Sequence, residues 1–337
     1  MEVLNNVSLK NYNTFGLDVK AAFFTLAENP AQLQEVLATD AYGGMPLLLL
    51  GGGSNILFTR DFNGLVVKVG FRGVKHEMHE TGKVLVTAGA GENWDKLVQH
   101  CVEQGWGGLE NLSLIPGTVG ASPIQNIGAY GVEITDVFSH LSAIELKTYE
   151  ERIFNHKDCR FAYRSSIFKN ELRGKYLISY VSFLLSTNSE PNLSYAALRQ
   201  EFEKSGEIPG IRSVADAVIR IRRSKLPDPD ELGNAGSFFK NPEIDQKAFD
   251  HLLNHNPALP FHLQKNGRFK IPAAWLIEQC GWKGYRNGDA GVHKLQPLVL
   301  VNYGSASGIE ILELAKRIMG SVSERFGITL EPEVNIL

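Results

Sequence analysis

Runs of apolar residues bounded by glycine, proline or polar positions predict the strands of this chain. Short continuous apolar segments are typical of strands that are buried on both faces. They occur at 46–50, 64–69, 83–88, 141–146, 175–185 and 297–302, and a further strand is predicted for 328–337. Along the chain these segments alternate with helical patterns, either singly or in groups.

Apolar residues at helical spacing predict the helices. The segments that show this spacing are 92–104, 194–202, 213–224, 272–281 and 307–327. In the segment 272–281, Pro272 fits the first turn and Gly281 the end of a helix. The stretch 226–234 is rich in proline, aspartate and glycine, and it predicts a loop and a domain boundary. The pattern as a whole indicates an α+β protein with more than one domain.

Composition narrows the function classes. Among 337 residues, 43% are hydrophobic and 21% charged, which is ordinary for a globular protein with a sizeable core. A net charge of −3 without a Lys/Arg block argues against nucleic-acid or membrane-surface partners, and the cluster at 220–225 is a candidate anion site. No signal peptide and no membrane span are predicted. Cys101, Cys159 and Cys280 are far apart, which fits a reducing cytoplasm better than a disulfide framework or a zinc site.

Two glycine-rich loops are the strongest local signal. The chain has 33 glycines, and GGGSN at 51–55 follows a predicted strand, while IPGTVGASPIQNIGAYG at 115–131 is rich in small residues. Backbone N–H groups without bulky side chains form a nest for an anion such as a pyrophosphate. The GGGSN loop matches neither the dinucleotide fingerprint nor the P-loop pattern. We expect the two loops together to bind a large, doubly phosphorylated cofactor, although either loop alone is also compatible with simple turns.

Metal and nucleophile patterns are weak. His251 and His255 are four residues apart without the glutamate of a zinc protease motif, so no metal site is predicted. The segment GNAGSFFKNP at 233–242 leaves two interpretations open for Ser237. It is either a turn hydroxyl beside two core phenylalanines or a hydroxyl held in a dry pocket for chemistry.

Eight segments, in this order along the chain, resemble the UDP-N-acetylenolpyruvoylglucosamine reductase family of flavoenzymes. They are NTFGLD (13–18), LLLGGGSN (48–55), NLSLIPGTVGASPIQNIGAYGVEI (111–134), FAYRSSIFK (161–169), RRSKLPDP (222–229), GNAGSFFKNP (233–242), AAWLIEQCGWKG (273–284) and LEPEV (330–334). They cover nearly the full length. PNLSYAAL (191–198) resembles the tyrosine-bearing loop of the type I branch of the family.

The resemblance implies the fold and its division. It implies a two-part FAD-binding module of the vanillyl-alcohol-oxidase (PCMH) type plus a smaller α+β substrate-binding domain. The expected parts are 1–72 and 73–225 for the flavin and 226–327 for the substrate. The last strand, 328–337, is expected to return to the flavin region, which would bring LEPEV near GNAGS.

The resemblance also implies the reaction. NADPH would reduce FAD, and UDP-N-acetylglucosamine enolpyruvate would then receive hydride from flavin N5, giving UDP-N-acetylmuramate for peptidoglycan synthesis in the cytoplasm. Arg164 would bind the substrate carboxylate, Ser237 would protonate carbon, and Glu333 would share a proton with the enolic carboxyl group. A cation near Ser237 would stabilise its alkoxide, with Lys225 and Lys240 as the candidates.

Further residues follow from the same match. The expected flavin contacts are Gly51, Gly52, Gly53, Ser54, Asn55, Pro116, Gly117, Gly120, Ser122, Gln125, Asn126 and Arg222. The expected substrate contacts are Tyr163, Tyr195, Lys225, Asn241 and Gln296, and Tyr195 is equally compatible with packing on its own helix.

Two alternatives stay open at this point. An oxidase of the same flavin fold would use oxygen, but it would need no proton donor to carbon and therefore no segment such as 233–242. A non-catalytic UDP-sugar-binding protein would be colourless. The visible absorption spectrum of the purified protein separates the second alternative from a flavoenzyme.

Overall fold

The computed structural model describes residues 1–79, 82–264 and 266–337. Its helices are α1 Pro30–Leu37, α2 Trp94–Glu103, α3 His156–Cys159, α4 Ala196–Ser205, α5 Ile211–Lys225, α6 Gln246–His255, α7 Ala273–Gln279 and α8 Gly308–Phe326. Short 3-10 turns occur at Lys10–Tyr12, Asp40–Tyr42, Glu110–Leu112, Val119–Ala121 and Ile134–Asp136. The mixed α+β class predicted from the sequence is confirmed.

The strands are more numerous than the pattern predicted. They are β1 Leu4–Ser8, β2 Lys20–Ala27, β3 Leu47–Leu50, β4 Ile56–Leu57, β5 Phe62–Val69, β6 Val74–His79, β7 Lys83–Gly89, β8 Gly128–Ala129, β9 Val132–Glu133, β10 Phe138–Glu145, β11 Glu151–Asn155, β12 Tyr176–Ser186, β13 Gly233–Ser237, β14 Glu243–Ile244, β15 His262–Leu263, β16 Phe269–Lys270, β17 Arg286–Asn287, β18 Ala290–Val292, β19 Val299–Asn302 and β20 Asn335–Ile336. Many of them are only two or three residues long.

The chain divides into two compact units. Unit 1 comprises 1–7, 21–53 and 63–224, and unit 2 comprises 8–20, 54–62 and 225–337. Thus 8–20 and 54–62, which we assigned to the first flavin-binding part, group with the C-terminal third of the chain. The predicted functional parts 1–72, 73–225 and 226–327 stay a prediction.

Unit 1 is built on two sheets. One has the order β1-β2-β5-β3, in which β3 and β5 run parallel, and the other has the order β11-β10-β12-β7-β6. Helix α2 begins after Asn93, whose side chain accepts a hydrogen bond from Lys96 N–H. Its apolar face packs with β7 and β12 in one core, where Trp94 contacts Phe183 at 5.7 Å between ring centroids. This packing fixes the end of β7 and the start of α2, where the second glycine-rich loop is attached.

Unit 2 has a sheet of order β13-β19-β18-β17 and a smaller one of order β14-β16-β15. Helix α8 begins with a capping box of Ser307 and Glu310 and ends at Gly327 in the left-handed conformation, as its sequence predicts. Helix α7 differs slightly from expectation, because Pro272 occupies the N-cap position and not the first turn.

The predicted strand over 328–337 is wrong for most of its length. Only Asn335–Ile336 forms a regular strand, which pairs parallel with β4. Before it, Pro332 makes an isolated bridge with Phe239, and Lys240 N–H donates to the Glu331 carbonyl. Proline has no N–H to continue a ladder, so the segment is held by single backbone hydrogen bonds. Among the described residues, no helix is long and apolar enough to cross a membrane.

Candidate active site

The first glycine-rich loop lies against the second inside unit 1. A Cβ atom at Gly52 would lie 2.8 Å from the Gly117 Cα, and one at Gly51 would lie 2.6 Å from the Thr118 hydroxyl. Real Cβ atoms do not come this close to backbone, so glycine is required at position 52 for the loops to touch. Gly53 has a φ of +65°, which also favours glycine. The expectation that the two loops act together therefore has a geometric basis.

Backbone hydrogen bonds pin the second loop to the end of β7. Val119 N–H donates to the Glu92 carbonyl and Gly120 N–H to the Ala90 carbonyl, both at 2.9 Å. A Cβ atom at Gly120 would lie 2.5 Å from the Ala90 Cβ, so glycine permits this close packing. Pro116 and Gly117 precede this anchor, and the φ of Gly117 is +124°. The loop is thus anchored to unit 1 by backbone hydrogen bonds and close packing.

Several predicted flavin contacts are internal to this loop. Ser122 and Asn126 are buried, and the Ser122 hydroxyl donates to the Val119 carbonyl at 2.7 Å. The Asn126 amide donates to Glu133 at 2.6 Å and its oxygen accepts from Thr135 N–H at 3.2 Å. Their side chains therefore shape the loop. Half-buried Gln125 accepts a long hydrogen bond from Lys169 at 3.5 Å.

Arg164 sits at a tight turn of unit 1 with a strained backbone. Ala162 and Ser165 close the turn by mutual backbone hydrogen bonds, and Arg164 has a φ of +52°. Its guanidinium donates to the Gly128 carbonyl at 2.7 Å and lies 5.1 Å from the Tyr163 ring centroid. Left-handed backbone at a non-glycine residue is often found at functional sites. The strained backbone of Arg164 is thus consistent with a functional role for its guanidinium.

A second arginine lies deeper in unit 1. Arg222, near the end of α5, hydrogen-bonds Tyr130, and burial lowers the pKa of its guanidinium while Tyr130 and Asp95 oppose that shift. Burial raises the pKa of the Tyr130 phenol against the effect of Arg222. The Nε of Arg222 is buried without a hydrogen-bond partner among the described residues. An orphaned donor of this kind indicates that a ligand group or water completes the site.

The tyrosine-bearing loop packs on the second glycine-rich loop. Tyr195 is 43% exposed and caps α4 with its backbone, and its ring meets Tyr130 edge-on at 5.1 Å. Asn111 ties the two segments by donating to the carbonyls of Tyr130 and Asn192, both at 2.9 Å. Sequence reasoning missed Tyr130 and Asn111. The φ of +50° at Tyr130 has no sequence signature that we recognise.

In unit 2, Ser237 ends β13 at a bulge. Gly236 has a φ of +68°, and the pairing with β19 shifts between Asn234 and Ser237. Ser237 is exposed, while Phe238 and Phe239 are buried in the core. The two rings therefore do not cover the hydroxyl, and its role in chemistry stays a prediction.

Glu333 is held beside that segment by backbone pairing. Glu333 N–H donates to the Phe238 carbonyl at 2.7 Å, which places it opposite Phe238, the residue that follows Ser237. The Asn55 amide donates to the Glu333 carbonyl at 3.3 Å, and Asn335 donates back to the Asn55 carbonyl at 3.0 Å. Unit 2 thus brings LEPEV together with GNAGS and with Ser54–Asn55, the end of the first glycine-rich loop, as expected.

The other predicted residues of unit 2 have mixed surroundings. Lys225 is exposed at the end of α5, whereas Lys240 forms an ion pair with Glu331 at 3.0 Å. Asn241 accepts a hydrogen bond from Ala273 N–H at 2.9 Å and so helps to start α7. Gln296 is half-buried and accepts from Leu298 N–H at 3.4 Å.

One functional candidate of unit 2 was missed. His293 is 7% exposed, and its Nδ1 has no hydrogen-bond partner among the described residues. Burial, and secondarily Lys294, lowers the pKa of its imidazole. His293 N–H donates to the Val299 carbonyl, and Val299 pairs with Ser237, so the two residues share one row of the sheet. Only the register of short strands, which the sequence does not reveal, places them there.

A cavity of about 640 Å³ in unit 2 lies elsewhere. Helix α6, β14 and the end of α8 line it, and none of the predicted site residues is among its lining residues. Cavity size therefore does not identify the candidate site in this chain.

Comparisons with known proteins agree with this description. Residues 228–337 match a family described as "UDP-N-acetylenolpyruvoylglucosamine reductase, C-terminal domain", and residues 21–155 match a family described as "FAD binding domain". A UDP-N-acetylenolpyruvoylglucosamine reductase of Amoebophilus asiaticus is 46% identical over 338 residues, covering 100% of both chains. One of Pseudomonas syringae pv. tomato is 49% identical over 337 residues, covering 100% of this chain and 99% of the relative.

A solved structure supports the fold. The UDP-N-acetylenolpyruvylglucosamine reductase of Thermus caldophilus superposes with a TM-score of 0.68 at 24% identity, covering 100% of this chain and 99% of that one. At this identity the likeness speaks for the fold alone. Together with the FAD-binding match, it confirms the predicted flavin-binding module with a C-terminal domain of this family.

Proposed function

Because this chain belongs to the UDP-N-acetylenolpyruvoylglucosamine reductase family, we propose that it reduces UDP-N-acetylglucosamine enolpyruvate to UDP-N-acetylmuramate with NADPH and FAD. Identity of 46–49% along essentially the whole chain carries this proposal. The product is a precursor of peptidoglycan. We place the reaction in the cytoplasm, where NADPH and UDP-sugars are found and where its three unpaired cysteines would stay reduced.

The residues of unit 1 fit a flavin with a pyrophosphate. The close approach of Gly52 to Gly117 leaves backbone amides without side chains in front of them. The orphaned Nε of Arg222 supplies a buried donor that needs an acceptor. We therefore assign Gly51, Gly52, Gly53, Pro116, Gly117, Gly120 and Arg222 to the flavin, with Ser54 and Asn55 continuing the first loop. When bound, FAD supplies hydride transfer from NADPH to the enolpyruvyl double bond.

The binding role falls to Arg164 and its neighbour Tyr163. A guanidinium matches a carboxylate with two parallel hydrogen bonds and stabilises negative charge that develops on it. Arg164 is half-buried, and its turn fixes its backbone. Lysine would keep the charge but lose the paired geometry.

The proton-donating role falls to Ser237, with Glu333 beside it in unit 2. Once the distal vinyl carbon has gained hydride, the carbon next to the carboxylate is strongly basic and takes the Ser237 proton. Glu333 shares a proton with the enolic carboxyl group. Since Lys240 is already paired with Glu331, Lys225 is the better candidate for the cation that stabilises the Ser237 alkoxide. Exposure of Ser237 supports a model in which the substrate itself excludes water.

We assign the nucleotide of the substrate to polar side chains that are at least partly exposed. These are exposed Tyr195 and Lys225, together with half-buried Asn241 and Gln296. Asn241 already accepts the α7 hydrogen bond through its oxygen, so its amide NH₂ is the part available for a uridine or phosphate acceptor.

Stopped-flow kinetics of the two half-reactions tests the proposal. The purified protein should be yellow and release FAD, not FMN, on heating. In Ser237→Ala, flavin reduction by NADPH should stay within a few-fold of the unmodified protein. Reoxidation by the enolpyruvyl substrate should slow by roughly 100- to 10,000-fold, as expected for loss of a positioned proton donor.

Ser237→Cys is the matched variant, since it keeps a donor of similar size and should recover part of the rate. Equal slowing of both half-reactions would reduce Ser237 to a shaping role, and no slowing would assign the proton to Glu333 or water. A colourless protein that cannot be reconstituted with FAD would contradict the proposed function. Fast reoxidation by air would favour an oxidase instead.

A further inference from the structure

A lysine stands behind the first glycine-rich loop and has no place in the site assigned so far. Lys68 belongs to β5 and pairs in register with Leu50, the last residue of β3. Its ammonium donates a hydrogen bond to the carbonyl of Gly51, the first residue of the loop. Lys68 therefore contacts the loop at the point where the strand ends and the loop begins.

The charge of Lys68 has no acidic partner among the residues that the structure describes. It is half-buried, and no described acidic side chain forms an ion pair with it. Burial lowers the pKa of its ammonium, and the positive charge of Arg72 acts in the same direction. A partly desolvated cation with a second cation nearby favours a bound anion.

The hydrogen bond to Gly51 also orients the next peptide group. All peptide bonds of the described residues are trans, so the Gly51 carbonyl and the Gly52 N–H lie in one plane and point in opposite directions. With the carbonyl held by Lys68, the Gly52 N–H is directed away from β5. No protein acceptor for this N–H is found in the described part of the chain.

We propose that Lys68 is a positioning residue for the diphosphate of the flavin. It fixes the Gly51–Gly52 peptide with its N–H presented to a phosphate oxygen, and its charge attracts the diphosphate from behind the loop. This inference rests on the flavin site proposed above. It adds a lysine outside the two glycine-rich loops to a site for which the sequence predicted contacts from the loops and Arg222.

The test is a titration of apoprotein with FAD, in which quenching of flavin fluorescence measures binding. It compares the unmodified protein, Lys68→Met and Lys75→Met. Lys75 is an exposed lysine of unit 1 on β6 and controls for removal of one positive charge. Lys68→Met should weaken FAD binding about 10- to 100-fold, the usual effect of losing a hydrogen bond that involves a charged group. Lys75→Met should bind within two-fold of the unmodified protein.

Two further measurements separate positioning from general stability. The FAD affinity of the unmodified protein should fall more steeply with NaCl than that of Lys68→Met, because a charge contact is screened. The melting temperature of the apoprotein should not fall in Lys68→Met, since the variant loses a desolvated cation. If Lys68→Met does not fold, Lys68→Gln replaces it. The glutamine amide can still donate to the Gly51 carbonyl but carries no charge, so FAD binding by this variant should lose the steeper salt dependence.

The outcomes decide between the two proposals. FAD binding by Lys68→Met within two-fold at low salt, or an equal loss in Lys75→Met, would overturn the role of Lys68 and leave the proposed function intact. An unmodified protein that binds no FAD would instead refute the proposed function.

Discussion

The contact between the two glycine-rich loops makes Gly52→Ala a decisive substitution. The added Cβ would lie 2.8 Å from the Gly117 Cα and 3.2 Å from its carbonyl carbon. Carbon atoms pack at about 3.5–4.0 Å, so the loops must separate by roughly 0.7 Å or more. Both atoms belong to the backbone, and no side-chain rotation relieves the overlap. Overpacking of this kind costs about 1–3 kcal/mol.

That cost should appear in flavin binding. If the two loops bind FAD jointly, a loss of about 1–3 kcal/mol lowers the affinity for FAD roughly 5- to 150-fold. The assay is FAD titration of apoprotein together with the melting temperature with and without FAD. Gly210→Ala is the matched control, because its nearest heavy atom is the Ser213 hydroxyl at 3.7 Å. It should leave the FAD affinity unchanged.

The neighbouring glycine provides an internal comparison. A Cβ at Gly51 meets the Thr118 hydroxyl at 2.6 Å, which is a side-chain atom. Thr118→Ala should therefore restore FAD binding to Gly51→Ala, whereas it should not restore FAD binding to Gly52→Ala. If Gly52→Ala bound FAD within two-fold and melted like the unmodified protein, the close approach of the two loops, and with it their joint binding of FAD, would be refuted.

Three further outcomes follow from the same structure. Arg164→Lys should slow substrate-dependent flavin reoxidation about 100-fold or more, measured by stopped flow, because the paired hydrogen bonds are lost; a change within a few-fold would make Arg164 structural. Since the pKa of His293 is lowered on folding, its stabilising contribution should be lost as pH falls below about 6.5. In urea unfolding, lowering the pH from 7.5 to 5 should thus reduce the free energy of unfolding of the unmodified protein more than that of His293→Gln. An equal reduction in both proteins would contradict this. Gly308→Ala would place a Cβ 1.7 Å from the Phe58 carbonyl oxygen and should destabilise by about 3 kcal/mol or more in urea unfolding. Gly320→Ala, on the same helix with open space around it, should stabilise by roughly 0.5–1 kcal/mol, and similar values for both would argue against the contact at Phe58.

Long elements were predictable because their own residues determine them. The apolar runs that became β7 and β12 and the periodic segment that became α8 bury enough surface to form wherever the chain places them. Strands of two or three residues such as β14, β16 and β18 carry no such pattern. Their conformation comes from pairing with partners that are distant in sequence, which composition does not encode.

The same limit explains what could be predicted about Ser237. Its sequence placed the serine beside two core phenylalanines, and that part is correct, whereas Gly233–Ser237 forms a strand with a bulge and not a turn. Which way the hydroxyl faces depends on the left-handed Gly236, which shifts the register with β19 and leaves Ser237 exposed while both rings enter the core. In a strand, a one-residue change of register moves a side chain to the opposite face. The motif therefore predicted which residue types meet here, whereas the exposure of Ser237 depends on a strand register that the motif does not reveal.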